Sequence, residues 1–344
     1  MNGADLLADL RAHRAPAIAR AISIVENGRP GFEDLLSSLH PHLGHARRIG
    51  ITGPPGAGKS TITEQLVQAY RRAGHTVAVV AVDPTSPFTG GALLGDRIRM
   101  ESVALDPGVF IRSMATRGSL GGLATTTREV CDVLDAAGFD RILIETVGVG
   151  QSELDVARSA DSTVLVLVPE SGDGIQTLKS GIMEIGDIFV VNKADRPGAD
   201  RLRQEIEVTL GIRAGNAFRH VKAHHGPRTG APTPAADPHA SVGWSHPVLA
   251  TVAMKGEGIA ELVAALDGHQ AELERTGELG ERRRQRLFER TREVVDRSTR
   301  QWLWQETGAE QLIRDRLDEL ALGRVSPYEV ASDVLEALKQ GSRV

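Results

Sequence analysis

Seven short apolar runs, separated by longer stretches with apolar residues at helical spacing, dominate the middle of the chain. The runs are Arg48–Thr52, Val77–Val82, Val109–Arg112, Arg141–Ile144, Thr163–Val168, Ile188–Val191 and Val248–Val252. Several are nearly continuous Val, Ile and Leu rather than alternating, as expected of strands covered by helices on both faces. Strands and helices in alternation predict an α/β fold with a mostly parallel, doubly wound sheet. Ahead of the first run, Leu6, Leu7 and Leu10 cluster, and Ala17, Ile18, Ala21, Ile22 and Val25 recur at helical spacing. Asn27-Gly28-Arg29-Pro30-Gly31 stops that helix, and Phe32, Leu35, Leu36 and Leu39 begin another.

Beyond about Leu266 the pattern becomes that of long helices. Leu287, Thr291, Val294, Ser298 and Trp302 step along one face, preceded by Arg282, Arg283, Arg284 and Arg286, which we read as a solvated face. Ser326-Pro327-Tyr328-Glu329 is a capping box with proline at the first helical position. Val330, Val334, Leu335 and Leu338 then line a terminal helix. The expected organisation is a helical extension at 1–45, an α/β domain at 46–268 and a helical region at 269–344. Between Gly215 and His246 lies a stretch rich in Gly, Pro, Ala and His, read as a loop or insertion within the α/β domain. Its histidines (His220, His224, His225, His239, His246) lack cysteine or ordered carboxylate neighbours and read as solvated rather than metal-binding.

Composition narrows the classes. The chain has 344 residues, 41% hydrophobic but only 3% aromatic, so its core is built from Val, Ile, Leu and Ala. A formal net charge of -5 argues against a nucleic-acid footprint spread over the surface. One cysteine, Cys131, rules out an internal disulfide framework and a Cys-rich metal site. No run approaches a membrane span and the first residues lack signal-peptide character, so a cytoplasmic protein without a membrane partner is expected.

The chemistry begins at the first apolar run. Gly53-Pro54-Pro55-Gly56-Ala57-Gly58-Lys59-Ser60-Thr61 fits G-x-x-x-x-G-K-S/T, between a predicted strand and a helix carrying Ile62, Leu66, Val67 and Tyr70. Glycines let successive N–H groups converge on phosphate oxygens. Lys59 reaches the terminal phosphates, Ser60 offers a hydroxyl to Mg²⁺, and the helix adds its positive end. In a doubly wound sheet the ligand sits beyond the carboxyl ends of the strands. There the second run ends in Asp83-Pro84-Thr85, followed by a Gly-rich segment to Asp96, and the fourth ends in Glu145-Thr146-Val147-Gly148-Val149-Gly150-Gln151. One acid after a strand is usually a helix cap. Acids after two strands facing a P-loop fit Mg²⁺ and its water shell better.

The sixth run ends in Asn192-Lys193-Ala194-Asp195, which fits N-K-x-D. The aspartate accepts from guanine N1–H and the exocyclic amine, donors that adenine does not supply equivalently, and an unpaired carboxylate penalises ATP. Thr251-Val252-Ala253 follows the last run, where backbone at Ala253 is placed to meet the guanine carbonyl.

Taken together these motifs resemble the methylmalonyl-CoA mutase-associated GTPases, the MeaB/MMAA/ArgK family. The resemblance rests on Ala19–Glu26, Gly53–Thr61, Ala81–Ser86, Gly90–Arg97, Glu145–Glu153, Lys179–Asp195 and Ser326-Pro327-Tyr328. Glu-Thr-Val-Gly-Val-Gly-Gln-Ser-Glu is the most specific string, because other GTPases carry Asp where Glu145 stands. It implies a homodimeric GTPase, with dimerisation through 269–344, that binds GTP/GDP and Mg²⁺. The implied function is that of a chaperone, which escorts a cobalamin-dependent acyl-CoA mutase, gates adenosylcobalamin loading and protects the mutase.

By position, the resemblance makes Lys59, Glu145 and Lys179 the catalytic set. Ser60, Asp83, Asp96 and Glu145 surround Mg²⁺, and Gly148 belongs to the γ-phosphate motif. Asn192, Lys193 and Asp195 read guanine, and Lys179 lies in a switch loop communicating with the mutase. The chain departs from the pattern at Gly174, where many members are acidic, at Val252, where Ser is usual, and in the Pro- and His-rich segment. The offset of Gln151 from Gly148 is not that of a Ras-like water-orienting glutamine, so slow intrinsic turnover is expected. Two other readings share the fold: a metal-insertion GTPase, and a small-molecule kinase with GTP or ATP as donor.

Overall fold

The computed structural model describes residues 3–84, 100–116, 122–146, 152–169, 182–213 and 244–339. Each of the seven runs forms a strand: β1 (Arg47–Thr52), β2 (Val77–Pro84), β3 (Val109–Thr116), β4 (Arg141–Thr146), β5 (Ser162–Leu167), β6 (Ile188–Asn192) and β7 (Val248–Thr251). They make one sheet in the order β3-β2-β4-β1-β5-β6-β7, with every neighbouring pair parallel. The P-loop strand β1 is therefore central, flanked by β4 and β5. Strand β3 extends four residues beyond its apolar run, through Ser113 and Thr116. It is an edge strand, and the ladder to β2 needs backbone groups rather than apolar side chains.

Both faces of the sheet are covered, which explains the unbroken apolar runs. Along β2, Ala78, Val80 and Val82 enter one core and Val77 and Val79 the other, following the two-residue period of a strand. The first core is closed by the helices Ala15–Glu26 and Gly122–Ala137, through Ile18, Ile22, Val130 and Leu134. The second is closed by the helices Lys59–Arg72 and Ile259–Thr276, through Ile62, Leu66, Leu262 and Leu266. The N-terminal helices thus belong to the compact unit 1–283.

The amino ends of the strands are tied by buried charges. Asp135 accepts from the N–H groups of Gly44, His45 and Ala46 at 2.9, 3.1 and 3.0 Å, and from Arg48 at 3.1 Å. Arg283 donates to Asp161 at 2.8 Å and to the carbonyls of Gly44 and Ala46, while Arg282 pairs with Asp187 at 3.2 Å. The expected solvated face is corrected at these two arginines. Arg282 also pairs locally with Glu278, but the partners that tie both arginines to the sheet sit 95 to 239 positions away in the chain, beyond the reach of a local charge pattern.

Residues 284–344 form a second compact unit. Here the helix Glu278–Gln301 ends, a wider turn follows at Trp302–Glu306, and short helices lead to Pro327–Lys339. The capping box forms reciprocally: the Ser326 N–H donates to Glu329 Oε2 at 2.7 Å and the Glu329 N–H to Ser326 Oγ at 3.2 Å. Ala309, Val330 and Val334 are buried, whereas Phe288, Val295, Trp302, Trp304 and Leu322 are exposed.

Candidate nucleotide site

The loop after β1 is shaped by where its glycines sit. Gly53 has φ 140°, and a Cβ there would lie 2.0 Å from the Val166 carbonyl of β5. Gly58 has φ 89°, and its Cβ would strike the Asn192 amide at 2.3 Å. Both close approaches demand glycine, and they press the loop against the carboxyl ends of β5 and β6. Ala57 is buried between them, while Pro55 and Gly56 face outward.

Lys59 opens the following helix and is buried, its ammonium donating to the carbonyls of Gly53 at 2.8 Å and Pro54 at 3.0 Å. The lysine thus folds back across the loop that its own helix terminates. Ser60 Oγ donates to Glu145 Oε1 at 2.5 Å. Parallel pairing sets this contact, because β1 and β4 place Ile51 opposite Glu145 and end at the same level. Glu145 is buried. Next to it Thr146 donates to Thr52 at 3.3 Å, joining the two strand ends.

A second cluster forms where β6 and β7 end. Asn192 is buried; its Nδ2 donates to the Ala57 carbonyl at 2.8 Å. Its Oδ1 accepts from Thr251 Oγ1 at 3.0 Å and from the Ala253 N–H at 3.1 Å. One amide therefore joins the P-loop to the loops after β6 and β7, the expected base side. Lys193 follows with φ 56°, an uncommon conformation for a side-chain-bearing residue, and Ala194 N–H donates to the Thr251 carbonyl at 3.0 Å. Asp195 is exposed and pairs with Lys255 at 3.4 Å.

The structure thus brings Gly53 to Thr61 together with Glu145 on one side and with Asn192, Thr251 and Ala253 on the other. Asp83 lies on β2 with its backbone opposite Ala115. Asp96, Gly148, Gln151, Gly174 and Lys179 lie outside the described residues. Sequence reasoning missed Thr52, Thr251 as a side-chain donor, and Lys255. Thr52 and Thr251 carried a faint signal, a hydroxyl ending an apolar run; Lys255 carried none.

Two of the shifted ionisations, Tyr70 and His269, lie at the opposite end of the sheet. Burial pushes Tyr70 up to about 12. Burial also lowers His269, which sits against Ser162 Oγ at 2.8 Å, with Asp187 opposing the shift.

A parallel sheet with a glycine-shaped phosphate loop after its central strand, a Ser–Glu contact beside it and an N-K-x-D turn two strands away defines a P-loop GTPase. The profile of one family, described as methylmalonyl Co-A mutase-associated GTPase MeaB, matches residues 18–307. The chain belongs to that family. It is 47% identical over 291 residues to a protein of Pyrococcus abyssi named as a GTPase, covering 85% of this chain and 83% of that one. A relative from Mycobacterium tuberculosis, likewise named as a GTPase, is 39% identical over 324 residues, 93% of this chain and 90% of its own. Among solved structures, one described as a LAO/AO transport system kinase superposes with a TM-score of 0.67 at 27% identity, covering 98% of this chain and 99% of that one.

Proposed function

We propose that this GTPase is a switch that escorts a cobalamin-dependent acyl-CoA mutase, gating adenosylcobalamin loading and protecting the loaded mutase, with methylmalonyl-CoA mutase as the partner the family name supplies. The observation that carries the switch reading is the Ser60–Glu145 contact at 2.5 Å. It puts the P-loop hydroxyl and the carboxylate of the Glu-Thr-Val-Gly string at one point, so a ligand that engages the serine is felt at the start of the segment after β4. Ser60 and Glu145 are oxygen donors, one neutral and one anionic, and this set fits a hard divalent cation. They would hold Mg²⁺ with Asp83 and Asp96; when bound, the ion neutralises charge on the β- and γ-phosphates.

Each residue then has a role. The N–H groups of Gly53 and of Gly56 to Thr61 cradle phosphates, with Pro54, Pro55, Gly56 and Ala57 shaping the turn, and Gly148 belongs to the γ-phosphate motif. Lys59 exchanges its two carbonyl partners for phosphate oxygens. Asn192 holds the base-side loops to the P-loop, Lys193 and Asp195 meet the guanine, and Ala253 supports them through Asn192. Lys179 couples nucleotide state to the mutase. The protein works as a homodimer through 269–344, where Phe288, Val295, Trp302 and Trp304 expose apolar surface. Its place of work is the cytoplasm; among the described residues no helix is long and apolar enough to cross a membrane.

The test measures GTP hydrolysis by wild type and Lys179→Ala, alone and with candidate acyl-CoA mutases. Slow basal turnover raised by the cognate mutase is expected in wild type. Lys179→Ala should bind GTP normally and lose the stimulated part. Equal stimulation in both removes Lys179 from the coupling path, and no stimulation by any acyl-CoA mutase refutes the escort reading.

A further inference from the structure

We propose that Lys255 is a positioning residue for guanine recognition, holding the Asp195 carboxylate in its reading position. The inference rests on Asp195 being the base reader. Lys255 Nζ lies 3.4 Å from Asp195 Oδ2, so the contact engages one carboxylate oxygen. A carboxylate oxygen has two lone pairs, and a lysine on one side of Oδ2 leaves both oxygens able to accept from an incoming base.

The frame behind each partner is fixed. Asp195 stands on a turn closed by Ala194 N–H to the Thr251 carbonyl and Arg196 N–H to the Lys193 carbonyl, both at 3.0 Å. Lys255 stands on a turn closed by its own N–H to the Val252 carbonyl at 2.8 Å and by Gly256 N–H to the Ala253 carbonyl at 3.1 Å. Val252 and Glu257 bridge across its base. Asn192 Oδ1 joins the two turns by accepting from both Thr251 and Ala253. The ammonium is therefore delivered to the carboxylate from a backbone anchored to the same amide.

The pair adds little to stability. Its side chains are 58% and 45% exposed, and exposed pairs contribute little to folding. Its effect falls on the rotor. Guanine presents two parallel donors, N1–H and the exocyclic amine, which need both carboxylate oxygens in one plane. A cation on Oδ2 restricts the aspartate before the base arrives and lowers the ordering cost of binding. Adenine lacks that donor pair, so the held carboxylate favours guanine without favouring adenine.

The experiment measures binding of fluorescent GDP, xanthosine diphosphate and ADP to the full chain as wild type, Lys255→Met, Lys255→Arg and Asp195→Asn, and to the double variant Asp195→Asn/Lys255→Met. Lys255→Met should weaken GDP by about two- to fivefold, with ADP and the melting temperature unchanged. Lys255→Arg should restore most of the loss. Asp195→Asn should turn preference to xanthosine diphosphate, and adding Lys255→Met should then weaken GDP no further. Unchanged or tighter GDP binding in Lys255→Met, equal weakening of GDP and ADP, or failure of arginine to rescue would each overturn the role of Lys255. If Asp195→Asn leaves base preference unaltered, the base-reading assignment itself falls.

Discussion

Replacing Asn192 with alanine tests whether one buried amide holds the nucleotide site together. The residue is 3% exposed and its side chain makes three hydrogen bonds, to the Ala57 carbonyl at 2.8 Å, Thr251 Oγ1 at 3.0 Å and the Ala253 N–H at 3.1 Å. Truncation removes three contributions of about 1 kcal/mol each and strands buried groups whose desolvation costs about 1–3 kcal/mol apiece. Thr251 can turn its hydroxyl about its side-chain bond, and the Ala57 carbonyl lies by an outward-facing loop. The Ala253 N–H has no such escape. A net loss of about 3 kcal/mol follows, or a fall of about 5 °C in melting temperature for a compact unit that spans 1–283. Nucleotide affinity should fall as well, because the phosphate loop and the base-side loops lose their common tie. Asn192→Asp discriminates further: it keeps the acceptor for Thr251 and Ala253 but sets a carboxylate against the Ala57 carbonyl, so GDP binding should suffer at least as much as in the alanine variant. Scanning calorimetry and GDP titration on the same preparations make the measurement. An alanine variant that melts within about 2 °C of wild type and binds GDP normally would refute the reasoning.

Lys59→Ala should abolish measurable GTP hydrolysis while leaving the fold intact, because in the proposed role its buried ammonium leaves the Gly53 carbonyl to neutralise charge on the β- and γ-phosphates; phosphate release near the wild-type rate from a folded variant would contradict this. A pH effect should arise at the other end of the sheet. Burial lowers the His269 pKa from its ordinary 6.5, so below that value the unfolded chain takes up the proton before the folded one. Stability should therefore decline as pH falls from 6.5 towards the lowered folded value, and His269→Gln should flatten that part of a denaturation-midpoint profile. An unchanged slope in the variant would remove His269 as its source.

Much of this molecule was legible from short-range pattern. The strands were found because sheet burial on both faces forces continuous Val, Ile and Leu, and β4, β5 and β6 are buried at every position. The phosphate loop was legible because its residues act through their own backbone, so contiguous sequence encodes the geometry. The same holds for the Ser326–Glu329 capping box, whose two hydrogen bonds span three residues. Strand order was a different matter. Nothing in the runs states that β1 lies between β4 and β5, yet that neighbourhood is what sets Glu145 against Ser60, 85 positions away.

The sequence by itself determined the local pieces: a parallel α/β fold, a glycine-shaped loop after its first strand and an N-K-x-D turn after its sixth. Tertiary structure decided their partners. Asn192 reaches Ala57 across 135 positions, Lys255 reaches Asp195 across 60, and Arg283 leaves the solvated face expected of it to anchor carbonyls 237 and 239 positions away. The division has a physical cause. Backbone conformation and hydrophobic period are properties of adjacent residues, and they leave a readable spacing. A buried polar side chain must satisfy its hydrogen bonds with whatever the packed sheet brings near it, and that partner leaves no spacing in the chain.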